Sequence, residues 1–196
     1  MELLQNSIET GDWIVHLHYG VGQVEGKDKK ILEGKEQTFF KVKTSDGHYW
    51  IPIEKIDRNR IRPVASKNQM RYALTLIQEP PQRLPIDYNL RRKKILQAIG
   101  DISLFSNARM IRDLYCRRVS SKFNSYDNEA LSGMKERFLN ECTLVMDEDR
   151  KELERKLQMA LKISMEEVEL KDDTKINERE NLEEKSKNIS NQFYIE

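Results

Sequence analysis

Cysteine is scarce in this chain: only Cys116 and Cys142 occur, far apart and each within a helical pattern. That count excludes a disulfide scaffold, and two buried thiols in a reducing cytosol are expected. No stretch approaches 18 consecutive apolar residues, so no membrane span is expected. The first residues lack a basic region followed by an apolar run, so no secretory signal is expected either. Glycine is too sparse to build a phosphate loop, since Gly20-Val-Gly22 is a strand–turn pair with no helix behind it. His16 and His18 can share one strand face, but no third ligand follows at metal spacing, so no metal site is expected. The acids Asp147, Glu148 and Asp149 sit at a helix start, where they complement the helix dipole. Neither an enzyme nor a cofactor is therefore expected.

The chain does have charge, and it is segregated. Charged residues make up 34% of the sequence and hydrophobic ones 38%, enough for modest cores rather than one large one. The net charge of +1 conceals blocks. Residues 1–66 carry 10 Lys and Arg against 10 Asp and Glu. Residues 67–125 carry 12 against 4, a net of +8, and residues 163–196 carry 5 against 10. A neutral front, a basic middle and an acidic tail point to partners rather than to folding.

From Gly11 the pattern is that of strands: Asp12–His16, Gly20–Val24, Gln37–Lys43 and His48–Ile53. They are rich in β-branched and aromatic residues and separated by turn signals at Tyr19-Gly20, Gly34 and Asp46-Gly47. Asp46-Gly47 predicts a type I′ hairpin, in which both central residues take positive φ. Four or five strands in about fifty residues indicate a small, strongly bent sheet or barrel. Pro52 belongs at an edge or strand end, because it cannot donate to a ladder. From Ser66 onward the spacing is helical. Ala73, Leu74 and Ile77 mark one helix, ending at Pro80-Pro81. Leu104, Ala108, Ile111, Leu114 and Tyr115 mark another, from Ile102 to about Ser121. Leu131, Met134, Phe138, Leu139 and Cys142 mark a third, with Ser125 or Asp127 as its cap. Leu153, Leu157, Ala160 and Leu161 mark the last, from about Asp147. The fold class is α+β: a β module over 9–65, a helical bundle over 66–162, and an acidic tail over 163–196. The tail has too few apolar residues to build a core and is expected to be mostly disordered.

The stretch Ile86–Gly100 stands out. Arg91, Arg92, Lys93 and Lys94 run consecutively inside a short helix, with Asp87 as N-cap and Gly100 as stop. The stiff linker 80–85, with three prolines, presents this helix at a defined angle. On a helical wheel Ile95, Leu96 and Ile99 share a packing face, with Tyr88 and the stem of Arg92 near it. Lys93, Lys94, Gln97 and Leu90 point away. Such a helix suits a phosphate backbone, although a solvated amphipathic surface has the same pattern.

The run Gly11-Asp-Trp-Ile-Val-His-Leu-His-Tyr-Gly-Val-Gly22, followed by Phe39-Phe-Lys-Val-Lys43, Tyr49-Trp-Ile-Pro52 and Ile61-Arg-Pro63, resembles the RNA-polymerase-interaction module of CarD and the transcription-repair coupling factor. No helicase motif follows. Residues 67–162, including Arg112-Asp-Leu-Tyr-Cys-Arg-Arg118, resemble the helical domain of CarD-type bacterial regulators. The resemblance implies a Tudor-like or SH3-like β barrel that docks on the RNA polymerase β subunit by strand-edge pairing. Lys30 and the strand bearing Tyr49 and Trp50 match the family's polymerase-facing positions, although Trp50 also suits a core and Lys30 a plain hairpin loop. The resemblance further implies that the helical domain touches promoter DNA at the upstream edge of the transcription bubble and slows its collapse. Tyr88 matches the position of the family's wedge, usually Trp, and Arg91 and Lys93 match its basic positions. Leu90 stands where the family often has Arg, and Arg92 and Lys94 complete the expected DNA-binding set. A cytoplasmic, nucleoid-associated monomer that regulates transcription is expected, with no small-molecule substrate. A free nucleoid-type nucleic-acid-binding protein and a protein–protein adaptor without DNA contact are the alternatives.

Overall fold

The computed structural model describes residues 8–32, 34–57, 59–120 and 123–166. The acidic tail expected over 163–196 lies outside them from residue 167 on, while 163–166 continue the last helix and bury Ser164. Five antiparallel strands come first: β1 (Trp13–His16), β2 (Gly20–Leu32), β3 (Lys35–Thr44), β4 (Gly47–Pro52) and β5 (Ile61–Pro63). A 3-10 turn at Ile53–Lys55 separates β4 from β5. Five helices follow: α1 (Lys67–Gln78), α2 (Tyr88–Gly100), α3 (Leu104–Ser120), α4 (Ser125–Met146) and α5 (150–166).

The sheet order is β4-β3-β2-β1-β5. Among the described residues no ladder joins β4 to β5, so the sheet is open where a barrel was expected. Both end strands keep a free edge, and Pro52 ends one of them. β2 runs eight residues beyond its expected end. The polar stretch from Lys27 to Leu32 pairs with β3 as a two-stranded ribbon, in which cross-strand backbone bonding replaces an apolar pattern. A register shift at Val24/Gly26 turns Glu25 toward Lys41 and His48, 3.0 Å from each.

Two glycines have definite tasks. Gly20 takes φ +71° at the β1–β2 turn. A Cβ on Gly22 would lie 2.7 Å from Val42 Cγ1 and 2.9 Å from the Lys43 carbonyl oxygen, so the Gly-Val-Gly run serves close strand packing. The β3–β4 hairpin forms where expected but with a different turn. Ser45 and Asp46 are its central residues, and Gly47 alone takes positive φ (+142°). The Thr44 hydroxyl accepts from the Asp46 N–H and donates to the Gly47 carbonyl, and it holds this geometry without a left-handed Asp.

Two apolar clusters form. Ile14, Val24, Phe40, Val42, Ile51 and Ile61 fill the inner face of the sheet. Met70, Ile77, Ile95, Ile111, Leu114, Leu131, Phe138 and Leu157 fill the bundle. The helical spacing read in the sequence corresponds to buried faces on α3, α4 and α5. Asn124, rather than Ser125 or Asp127, caps α4, its side chain accepting the Asp127 N–H at 2.7 Å. Ser66 and Gln69 form a reciprocal capping box at α1. Both cysteines are free and buried, and burial pushes the Cys142 thiol up to about 11.

Arg62 on β5 ties the two clusters together. Its guanidinium makes a bidentate pair with Glu141 of α4 (2.6 and 2.7 Å) and donates to the Ile102 carbonyl at 2.8 Å. Glu141 is buried and also accepts the Ala65 N–H at 2.8 Å. Removing one member of such a pair leaves the other charged and desolvated, at a cost of about 3–5 kcal/mol. Glu141→Ala should therefore lower unfolding free energy by roughly that amount. The Arg62→Met/Glu141→Leu double variant should recover most of the loss in the same denaturant titration.

Candidate nucleic-acid and partner surfaces

α2 starts at a built cap: Asp87 accepts the Leu90 N–H at 2.9 Å. The linker before it is strapped down. Leu84 is buried in the bundle, and the Gln82 N–H donates to Asp113 at 2.8 Å. Arg112 donates to Asp113 and to the Leu76 carbonyl at the end of α1. Burial pushes the Asp113 carboxyl up, against the opposing pull of the Gln82 N–H and the Arg112 charge. The adjacent Arg112 and Asp113 thus set the exit angle of α1 and the entry angle of α2.

The four cations of α2 are not equivalent. Arg91, expected on the DNA-facing set, is 4% exposed. Its Nε donates to both carboxylate oxygens of Asp127 (3.0 and 3.2 Å), and its Nη1 donates to the carbonyls of Pro85 (2.9 Å) and Ile86 (2.7 Å). Asp127 is itself buried and also accepts from Arg117 Nε at 3.1 Å. Arg91 is therefore a structural cation, a correction to its place among the phosphate-facing residues. Arg92 and Lys93 are exposed and Lys94 half-buried. The packing face of α2 consists of Arg91, Ile95 and Ala98, with Ile99 half-buried. Leu96, expected on that face, is exposed because the buried guanidinium rotates the helix away from an all-apolar seam.

Around the start of α2 an apolar tip stands out from the basic surface. Tyr88 is 46% exposed, Leu90 61% and Ile86 91%. Tyr88 meets Tyr126 edge-on with ring centroids 6.4 Å apart, and the Arg92 guanidinium lies 5.6 Å from the Tyr126 centroid. Tyr88, Leu90, Arg92 and Lys93 are thus brought to one exposed end of the helix. Ile86 and Tyr126 belong to the same patch and were not singled out in the sequence. Ile86 adjoins the N-cap, and its exposure follows from the linker geometry rather than from any periodicity.

On the sheet, period two separates neighbours. Tyr49 points inward: it is buried, and its ring stacks on Tyr19 at 4.3 Å and approaches His16 at 5.4 Å. Burial pushes its hydroxyl well above the usual phenol range. A direct docking role for the Tyr49 side chain therefore gives way to a core role. Trp50 points outward and is 39% exposed, its Nε1–H donating to Asp28 at 2.8 Å. Lys30 Nζ sits 3.3 Å from the center of the Trp50 ring, a cation–π contact. Lys30 and Trp50 thus form one surface beside the free β4 edge. Ile31 and Leu32 are exposed near the tip of the same ribbon and were not read from the sequence as surface residues.

The histidine pair shapes a turn. His16 Nδ1 accepts the N–H groups of His18 (3.1 Å) and Tyr19 (3.3 Å). Burial lowers its pKa, with the charges of His18 and Arg60 adding to the effect. Among the described residues no group of three or more His, Cys, Asp or Glu side chains is placed to hold a metal, and no helix is long and apolar enough to cross a membrane.

A small open antiparallel sheet welded to a helical bundle, with an aromatic–cation surface on each, defines a two-part α+β protein. Its β part belongs to a known class: residues 8–65 match the family described as the CarD-like/TRCF RID domain. That match begins at the buried Ile8, ends at Ala65, whose N–H binds Glu141, and leaves residues 66–196 outside it. It supports a transcription-related function in interaction with RNA polymerase.

The division between structural and surface cations on α2 has a measurable outcome. Arg91→Ala should cost about 3–5 kcal/mol of stability, because it strands Asp127 in the core with Arg117 alone. Arg92→Ala should change stability by no more than about 0.5 kcal/mol. Chemical denaturation of the two variants reads the contrast.

Proposed function

We propose that the chain is a transcription regulator with two attachments. The β module docks on the RNA polymerase β subunit along the free β4 edge and the Lys30–Trp50 surface. The start of α2 contacts promoter DNA at the upstream fork of the bubble and stabilises the open complex. The observation that carries this reading is the match over residues 8–65, which gives the first attachment its partner class. The second attachment is supported by the exposed apolar tip of Ile86, Tyr88 and Leu90 beside Arg92 and Lys93. Apolar side chains inserted at base steps unstack them, and neighbouring cations neutralise phosphates. Arg91 takes no part in phosphate contact.

Two or three phosphate contacts alone give weak, salt-sensitive binding, with a slope of roughly −0.9 per contact. Tethering by a polymerase-bound module raises the local concentration to about the millimolar range. Weak contacts then bias the opening equilibrium, and about 1–2 kcal/mol shifts it roughly five- to thirtyfold. This mechanism accords with a nucleoid-associated location and with transcription regulation through the polymerase rather than through sequence-specific DNA recognition.

Two measurements on the full chain test the two attachments separately. Trp50→Ala combined with Lys30→Glu should abolish capture by immobilised RNA polymerase while leaving the melting midpoint within a few degrees of wild type. Undiminished capture would remove that surface from the interface. Tyr88→Ala should leave capture intact and shorten open-complex lifetime severalfold or more, since base–aromatic stacking contributes about 1–3 kcal/mol. Tyr88→Trp should retain the lifetime, and Tyr88→Phe separates stacking from hydrogen bonding by the hydroxyl. An unchanged lifetime for Tyr88→Ala in a folded protein would eliminate the tip from the mechanism.

A further inference from the structure

A second basic surface lies on the flank of α4 opposite Tyr126 and α2, where the last turn of α3, α4 and α5 form a groove. Arg118, Lys135, Lys151 and Arg155 line it, with Glu136 and Glu154 as its acids. Both acids are already engaged by Arg150, at 2.7 Å (Glu136) and 3.2 Å (Glu154), and Arg155 pairs with Glu152. Among the described residues no carboxylate lies within ion-pair distance of Arg118, Lys135 or Lys151, and Arg118 instead rests over the Tyr115 ring at 4.9 Å. Lys135 is half-buried above Leu131 and Leu139. Burial lowers its pKa, and the nearby Arg118 charge lowers it further against the opposing Glu154. Two like charges held together in a partly desolvated groove without an anion are stabilised by any carboxylate that reaches them.

The chain itself carries that anion. Residues 167–184 follow α5 directly and hold eight Asp and Glu against three Lys and Arg, a net of −5. α5 forms one wall of the groove, and about 22 Å of helix separates Lys151 from Glu166. Eighteen residues reach up to roughly 60 Å when extended, more than enough to return along that wall. Covalent attachment gives the segment an effective concentration of about a millimolar, which free acidic peptides do not match. The net charge over 67–125 makes α2 an alternative target, but its cations lie on the far flank of α4 and point into open solvent.

We infer that residues 167–184 dock in the α4–α5 groove, their carboxylates engaging Arg118, Lys135 and Lys151 as an intramolecular, salt-sensitive latch. A polyanion approaching this face must displace that segment, so the groove is closed to external acidic or phosphate-bearing partners until the latch is released. This inference stands independently of the polymerase attachment.

Zero-length carbodiimide coupling of the full chain, with amides mapped by mass spectrometry, tests it. At low ionic strength Lys135 and Lys151 should form amides with acids of residues 167–184, and the yield should fall severalfold at about 0.5 M salt. The Lys29–Glu36 pair, 2.7 Å apart on the β2–β3 ribbon, is the internal control. Mixing isotopically light and heavy chains must give intramolecular links only; mixed links would assign the groove to a second copy and overturn the inference. Control amides accompanied by tail links to Lys93, Lys94 or Lys162 alone, or by no tail links, would also overturn it. Arg118→Glu combined with Lys135→Glu should abolish the tail amides at Lys151 with the control amide retained, and their persistence counts against the latch. Should the double variant fail to fold, the salt response of the wild-type amides decides alone. Protection of Lys135 and Lys151 from acetylation by added inorganic polyphosphate, without tail amides in its absence, would assign the groove to an external polyanion instead.

Discussion

The bidentate pair between Arg62 and Glu141 holds the architecture in register. Glu141 is a buried carboxylate whose charge is compensated by a guanidinium from the sheet and by the Ala65 N–H at the start of the bundle. Geometry of this quality is what allows the Coulomb term to offset desolvation. Fourteen residues earlier on α4, Asp127 performs the same service for Arg91 and Arg117. Fourteen residues span about 21 Å of helix and return to nearly the same face. One helix therefore carries two buried anions that fix, respectively, the β module and the cationic helix. The distance between the two exposed aromatic–cation surfaces is set along a single rigid rod rather than across a hinge.

Seen this way, the +8 of residues 67–125 divides into two populations. Arg91 and Arg112 are buried, and Arg117 pairs with Asp127. They act as multidentate clamps on carbonyls and carboxylates, a task suited to the five fixed donors of a guanidinium. The cations left outside, among them Arg92, Lys93 and Arg118, generate a smaller but more localised field. Net charge by segment therefore overstates the electrostatic footprint that a partner meets.

Much of the fold was legible because it rests on periodicity and on strong local signals. Apolar spacing located α3, α4 and α5, and the Asp87 cap and the proline linker marked the entry to α2. The order of the β module was carried by Gly11–Gly22 and its successors. What the sequence concealed depends on long-range partners. Nothing local distinguishes Arg91 from Arg92, because the difference is Asp127, 36 residues away. Nothing local distinguishes Tyr49 from Trp50 until the pairing of β3 with β4 selects the inward face. The polar half of β2 forms because β3 lies beside it, and the turn at Asp46 is decided by a Thr44 hydroxyl rather than by the Asp-Gly dipeptide. The candidate surfaces were legible as composition, while Ile86 and Tyr126 entered them only through three-dimensional placement.

The guanidinium of Arg91 reaches back past the first turn of its own helix to the carbonyls of Pro85 and Ile86. It closes a small loop around the residues that carry Ile86, Tyr88 and Leu90 outward. Holding a backbone in one conformation costs about 1–2 kcal/mol of entropy per residue, and here folding has already met that cost. The protruding tip is preorganised, like a tooth set in a socket. Whatever it meets, the contact energy goes into the contact instead of into ordering the chain.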